Sequence, residues 1–310
     1  MSDADLWRPA ASLATLRQRA AMRQCIREHF ADNALEVEVP VTQGGPNRDH
    51  GVDPARLAGL PRWLTTSPEH PLKRLVAAGY GAVWCLHPCL RLAEHGRLHR
   101  SEFTMLEWYR PGCALPELIA ETVTILQVLL SDSRPTQTLS WHQAMALVVP
   151  ESLLLEGDAA SLADYCPGAP ADCDRSAILD LIFATQVQPR LGQEAITVVS
   201  PWPADACAQA RIIQDSHGRP ASARFEVFID GVELANGYDE CCDEEELRQR
   251  FDADARQRQQ AAQHDERYLH ALASGMPSCS GVAVGFDRLV LLACGLADVG
   301  DAMAFPWERA

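Results

Sequence analysis

Arg91, Arg97, His99 and Arg100 fall within ten residues of one another, and Glu107 and Tyr109 follow closely. An arginine fork binds two phosphate oxygens at once. A further arginine, Arg288, ends the run Gly285-Phe286-Asp287-Arg288. Two arginines so far apart in sequence could clamp a triphosphate while charge develops at one phosphorus. Taken alone, Arg91 reads as a solvated surface residue, the usual state of an exposed charge.

Acids supply the second chemistry. Glu69, Glu107 and Glu240, with Tyr109 and Tyr238, suit a cationic substrate. A molecule with two ammonium groups needs more than one buried carboxylate to replace its hydration. Glu107 is flanked by Leu106, Trp108 and Tyr109, and is the hardest of these to read as a surface acid. Glu233 and Asn236 offer oxygen ligands of the kind Mg²⁺ takes while it bridges to substrate phosphates. Phe103 presents a π-face on which a flat base can stack.

These residues need elements to hold them. Residues 12–31 repeat apolar positions at helical spacing, and 34–41 alternate as a strand stopped by Pro40. Residues 43–62, with Gly44-Gly45-Pro46, Pro54 and Pro61, read as a loop. Thr66-Ser67-Pro68-Glu69 marks a helix start, with Ser67 as cap. Ala82 to Leu86 predicts a strand, and His99 to Tyr109 one arm of a hairpin with it. Glu107 and Tyr109, two apart, then share a face. Residues 115–130 predict an amphipathic helix, and 131–195 predict helices without chemistry. Strands at 194–200, 223–229 and 232–237 follow, the last two joined by the turn signal Asp230-Gly231. Residues 243–273 read as one long charged helix, and 281–292 as a strand running into a helix. Hairpins outnumber strand–helix–strand units, which predicts an α+β fold with an antiparallel sheet and helices packed on it. No domain boundary is visible, so a single domain over 1–310 is expected.

Composition narrows the class. The chain has 310 residues and a net charge of −15, from 42 acids against 27 bases. An acidic surface argues against broad, non-specific nucleic-acid binding. Lys73 is the single lysine, which reads most simply as a coding bias toward arginine. The eleven cysteines have irregular spacings and no C-x-x-C pair. With no apolar run of about 18 residues and no basic-then-apolar leader, a reduced cytoplasmic protein off the membrane is expected.

Together these residues resemble the class II aminoacyl-tRNA synthetases. Glu36-Val37-Glu38-Val39-Pro40 resembles motif 1, Arg91 through Tyr109 motif 2, and Gly281 through Leu292 motif 3. Phe225 through Gly237 resembles the strand pair that precedes motif 3 in lysyl-tRNA synthetases. Glu102 through Pro111 and Gly275 through Ala283 are similar to one branch, the elongation factor P–(R)-β-lysine ligases, which lack the anticodon-binding barrel. The resemblance implies an ATP-dependent ligase of the catalytic domain alone, using Mg²⁺, acting as a homodimer on β-lysine and elongation factor P, with tRNA disfavoured. It implies that Ser67, Pro68, Glu69, Tyr109 and Glu240 hold the amino acid beside Glu107. Arg91 would meet the α-phosphate and the substrate carboxylate, and Arg288 the terminal phosphates. Phe103 would stack on adenine. Leu92, Ala93, His99, Arg100, Glu233, Leu234 and Gly285 fall at nucleotide-contacting positions. Glu233 and Asn236 would hold Mg²⁺. Ala283 stands where lysyl-tRNA synthetases carry glycine, and its methyl would select against α-lysine by about 1–3 kcal/mol.

The sequence departs from the family at Leu90-Arg91-Leu92-Ala93, where Phe-Arg-Asn-Glu is usual, and at His99-Arg100-Ser101-Glu102, where His-Asn-Pro-Glu is usual. The loop before Ser67 is also shorter. Two other readings stand beside the ligase: a ligase for another carrier or a tRNA, and a non-catalytic paralogue that binds a nucleotide or amino acid as a regulator. Leu92-Ala93 favours the regulator.

Overall fold

The computed structural model describes residues 6–47, 52, 54–92, 94–170, 173–259 and 261–310. In chain order its strands and α-helices begin with α1 (Leu13–Phe30), β1 (Leu35–Glu36), β2 (Thr42–Gln43), β3 (Trp63–Leu64), α2 (Glu69–Ala77), β4 (Val83–Leu90), β5 (Glu102–Pro111) and α3 (Leu115–Leu130). There follow β6 (Thr136–Leu139), α4 (Trp141–Met145), α5 (Glu151–Glu156), α6 (Ala159–Ala163), α7 (Arg175–Ile182), β7 (Ile196–Val199), β8 (Trp202–Pro203), β9 (Ile212–Gln214), β10 (Pro220–Ser222), β11 (Arg224–Ile229) and β12 (Val232–Asp239). The chain ends with α8 (Glu244–Gln257), α9 (Glu266–Ala273), β13 (Cys279–Gly285) and α10 (Phe286–Ala293).

The chain divides into two compact units: residues 1–132, 208–211 and 238–310, and residues 133–207 with 212–237. In the first, the strands run in the order β1-β4-β5-β13. β5 pairs antiparallel with β4 on one side and β13 on the other, and β1 adds in parallel at the edge. Alternation along β5 sends Leu106 and Trp108 to one face and Met105, Glu107 and Tyr109 to the other. On the first face Trp84 and Trp108 are buried against Phe30 of α1, with ring centroids 5.0 and 5.4 Å away. Each such aromatic removes about 150–250 Å² from water. On the second face Val83, Cys85 and Tyr109 pack with Leu72 and Val76 of α2 and with Tyr268, Leu269 and Leu272 of α9. Helices thus cover both faces, and α2 crosses the face that carries Glu107.

The second unit orders its strands β12-β11-β7-β6, with β11 and β7 antiparallel and β6 and β7 parallel. Its core joins Trp141, Ile178, Ile182, Phe183, Trp202 and Phe228. The β11–β12 turn has Asp230 at φ 52° and Gly231 at φ 73°. Two left-handed residues in succession are what a two-residue hairpin turn requires.

Three expectations need correction. Residues 131–195, expected to hold helices, also supply the strand β6 at Thr136–Leu139. Of residues 34–41 only Leu35–Glu36 form a strand, because Val37 gives its last ladder bond to the Trp84 carbonyl and Pro40 has no N–H to donate. Residues 243–273 form two helices. Gln259 takes a left-handed φ of 54°, and Asp265 restarts the helix by accepting from the backbone N–H groups of Arg267 and Tyr268. The antiparallel-dominated α+β fold stands as expected. No helix among the described residues is long and apolar enough to cross a membrane.

Candidate active site

Glu107 sits at the centre of the covered face, paired in register with Cys85 of β4 and Ala283 of β13. Tyr109 pairs likewise with Val83 and Gly281. Both oxygens of Glu107 accept hydrogen bonds from neutral donors: Tyr109 Oη to Oε1 at 2.7 Å, and Ser67 Oγ to Oε2 at 2.7 Å. Ser67 also accepts from the backbone N–H of Glu69 at 3.1 Å, so the start of α2 is tied to the site. Burial, with Glu69 nearby, pushes the Glu107 carboxyl up to about 7 against the pull of these hydroxyls.

Beside it lies a buried ion cluster. Lys73, one turn along α2 from Glu69, places Nζ 2.6 Å from Glu69 Oε1 and 2.6 Å from Glu240 Oε2. It also donates to Gln209 Oε1 at 3.3 Å, and Tyr268 Oη donates to that same oxygen at 2.9 Å. The ammonium lies 5.8 Å from the ring centroids of both Tyr109 and Tyr268. Burial raises the Glu240 carboxyl to about 8, although Lys73 pulls it down. Burial also opposes ionisation of Glu69, but Lys73 outweighs it and holds this carboxyl below its usual value. For Lys73 itself the two carboxylates outweigh burial and hold its ammonium well above the ordinary lysine range.

Space in the site comes from β13. A Cβ on Gly281 would stand 2.2 Å from Tyr109 Cε1 and 2.8 Å from Glu240 Oε1. Ala283 and Gly285, on the same face, are half-buried, whereas Val282 and Val284 between them are buried. The missing side chain at Gly281 is what lets the Tyr109 ring and Glu240 pack against this strand.

The β4–β5 loop and the start of α10 hold the arginines. Arg91 donates from Nε to the Thr66 carbonyl at 3.2 Å, and its guanidinium lies 5.2 Å from the Phe103 ring centroid. Arg288 places Nη2 2.7 Å from His99 Nε2 and donates from Nε to the Leu98 carbonyl. Arg100 pairs with Asp298 at 2.5 Å and Glu308 at 3.3 Å. Pro68, rather than the expected Ser67, stands at the N-cap position of α2 and makes no side-chain cap bond, Gly285 stands at that of α10, and Leu92 is exposed. Ala93 lies outside the described residues. Glu233, Leu234 and Asn236 are on β12 in the second unit, with Leu234 buried and the other two half-buried.

The structure thus brings together Ser67, Glu69, Glu107, Tyr109 and Glu240, and separately Arg91 with Phe103 and Arg288 with His99. Sequence reasoning passed over Lys73 as a matter of composition. The signal was present: Glu69 and Lys73 stand at i and i+4 on a helix whose other residues include buried Leu72 and Val76.

A profile of the family described as tRNA synthetases class II (D, K and N) matches residues 4–309. The chain is 40% identical over 332 aligned positions, covering 100% of both sequences, to proteins named elongation factor P–(R)-β-lysine ligase from Salmonella dublin and Salmonella paratyphi B. With the motifs, the sheet and the acidic face in agreement, the chain belongs to the class II tRNA synthetase family, in the group of the elongation factor P–(R)-β-lysine ligases.

Proposed function

We propose that this protein activates (R)-β-lysine with ATP and transfers it to a lysine side chain of elongation factor P. The observation that carries this reading is the buried set Glu69, Glu107 and Glu240 with a single internal cation, Glu107 lying across from Ala283 on β13. Such a pocket accepts a substrate with two ammonium groups, and its steric wall at Ala283 favours the β-amino acid.

In the first step the substrate carboxylate attacks the α-phosphorus of ATP in line, and the bond to pyrophosphate breaks. Arg91 holds the carboxylate and the α-phosphate, and Arg288 the terminal phosphates, so charge forming in the transition state meets fixed cations. Phe103 stacks on the base, next to Arg91. In the second step a neutral lysine amine of the acceptor attacks the acyl carbon, loses its proton and displaces AMP. Neither step needs a covalent bond to the enzyme, so most of the acceleration comes from positioning.

Among the described residues no group of three or more His, Cys, Asp and Glu is placed to hold a metal. Glu233 and Asn236, both partly open on β12, offer two hard oxygen donors. That set fits Mg²⁺, which takes one or two protein oxygens and completes its shell with water and phosphate. Bound there, Mg²⁺ would neutralise phosphate charge. We further propose that residues 1–310 act as one catalytic domain, homodimeric and cytoplasmic, without using tRNA.

The test is pyrophosphate exchange with β-lysine and with α-lysine, followed by radiolabel transfer to purified elongation factor P. Exchange faster with β-lysine, and label on elongation factor P but not on tRNA, is expected. Faster exchange with α-lysine overturns the substrate assignment.

A further inference from the structure

The internal cation of the pocket poses a problem. Lys73 and Glu240 have fully buried side chains, and that of Glu69 is 9% exposed. A buried ion pair seldom adds stability over an apolar replacement, so its presence is not explained by packing. Lys73 spans Glu69 on α2 and Glu240 just beyond β12, yet leaves Glu107 to the hydroxyls of Ser67 and Tyr109. Glu240 Oε1 has no hydrogen-bond partner among the described residues and lies 2.8 Å from where a Cβ on Gly281 would stand.

The ionisable groups around Lys73 are few. They are Glu69 and, next to it, His70 on α2; Cys85 on β4; Glu107 and Tyr109 on β5; Glu240 and Cys242; Tyr268 on α9; and Cys279 on β13. His70 stacks on Tyr268 and faces Asp265 at 3.5 Å. Burial raises the two tyrosines and the three thiols, so they stay neutral. With a dication bound and the carboxylates ionised, the charges to count are three carboxylates and one ammonium.

Resting on the proposed substrate, we infer that Lys73 is a specificity-determining residue that sets the charge of the pocket to two negative units, matching the two ammonium groups of the ligand, while it holds Glu240 with Oε1 against Gly281. The substrate carboxylate is then left for Arg91. Lys73 touches no reacting atom in this scheme; it acts through Glu69 and Glu240 as a positioning residue.

Charge arithmetic gives the test. Lys73→Met leaves three negative units and Glu69→Gln leaves one. The double variant, with Glu107 and Glu240 alone, returns to two. The readout is KM in pyrophosphate exchange for β-lysine, for an analogue lacking the ε-amine, and for ATP. Each single variant is expected to raise KM for β-lysine about tenfold or more, and the double variant to recover to within about threefold of wild type, with KM for ATP within about twofold throughout. Glu69→Gln should also lose its preference for β-lysine over the ε-deamino analogue, and the double variant should regain it. If Lys73→Met does not fold, the double variant against Glu69→Gln carries the test, since both replacements keep side-chain size. A double variant no better than Glu69→Gln, or a KM for ATP that rises in step with that for β-lysine, overturns the inference. Wild-type enzyme that prefers α-lysine is a different failure, that of the substrate assignment, and is seen without any variant.

Discussion

Tyr109 donates its phenolic hydrogen to Glu107 two residues back on the same strand, across 2.7 Å. That bond stabilises the ionised carboxylate within a buried site. Tyr109→Phe should therefore weaken β-lysine binding by about 1.5–3 kcal/mol, the worth of a hydrogen bond to a charged group. The acid limb of kcat/KM for β-lysine should move to higher pH, and KM for ATP should stay near wild type. Exchange kinetics across pH check both.

Stability should depend on pH in a way set by the two raised carboxyls of the pocket. Glu107 at about 7 and Glu240 at about 8 both lie above the ordinary carboxyl value of 4.5. Between 4.5 and about 8 the folded state holds protons that the unfolded chain has released, so these groups make unfolding easier as pH rises. Glu69 is lowered and has the opposite sign, its contribution fading only as pH falls below the usual range. Denaturant melts of ligand-free protein should show stability falling from pH 5 to about 8 through this pocket, a slope that Glu107→Gln reduces. β-Lysine binding near pH 6.5 should release protons, seen as a buffer-dependent heat in calorimetry.

Gly281→Ala places a carbon 2.2 Å from the Tyr109 ring. Real atoms do not approach so closely, and Tyr109 is buried with nowhere to go. Loss of about 100-fold or more in kcat/KM for β-lysine is expected. Gly285→Ala meets only Arg288 Cδ at 3.3 Å, on a flexible chain, and should be far milder. Side-by-side kinetics of the two variants distinguish them.

Ala283 stands across from Glu107 and is half-buried. Ala283→Gly removes one methyl from the pocket wall. The ratio of kcat/KM for β-lysine over α-lysine should fall by about ten- to a hundredfold, as a single methyl allows.

Arg288→Ala removes a guanidinium whose Nη2 lies 2.7 Å from His99 Nε2. Pyrophosphate exchange should drop by about 10²–10³. KM for β-lysine should change little, because the amine pocket lies with Glu69, Glu107 and Glu240.

Local chemistry was legible in the sequence where it depends on near neighbours. Alternation put Glu107 and Tyr109 on one face, and Asp230-Gly231 marked a turn that both residues fulfil with positive φ. The helix break at Gln259 was not legible, because Gln259, Ala261, Ala262 and Gln263 are good helix formers that continue the pattern, while the cap at Asp265 looks like any other acid. Lys73 was missed for a different reason. Its two partners come from the same helix and from the residue that follows β12, far along the chain, and no periodicity links Lys73 to Glu240. Arg100 likewise reads as a phosphate ligand by its place in motif 2, but only the fold reveals Asp298 and Glu308 beside it.

Lys73 is also the chain's only lysine, and its ammonium is sealed from solvent between two carboxylates. The other basic residues are arginines, whose guanidinium groups stay protonated and do not act as nucleophiles near neutral pH. A protein that makes an acyl adenylate reactive toward lysine amines thus exposes no lysine of its own. Self-labelling at a side-chain amine is closed off by composition and burial together, and the activated group is kept for an amine that arrives from outside.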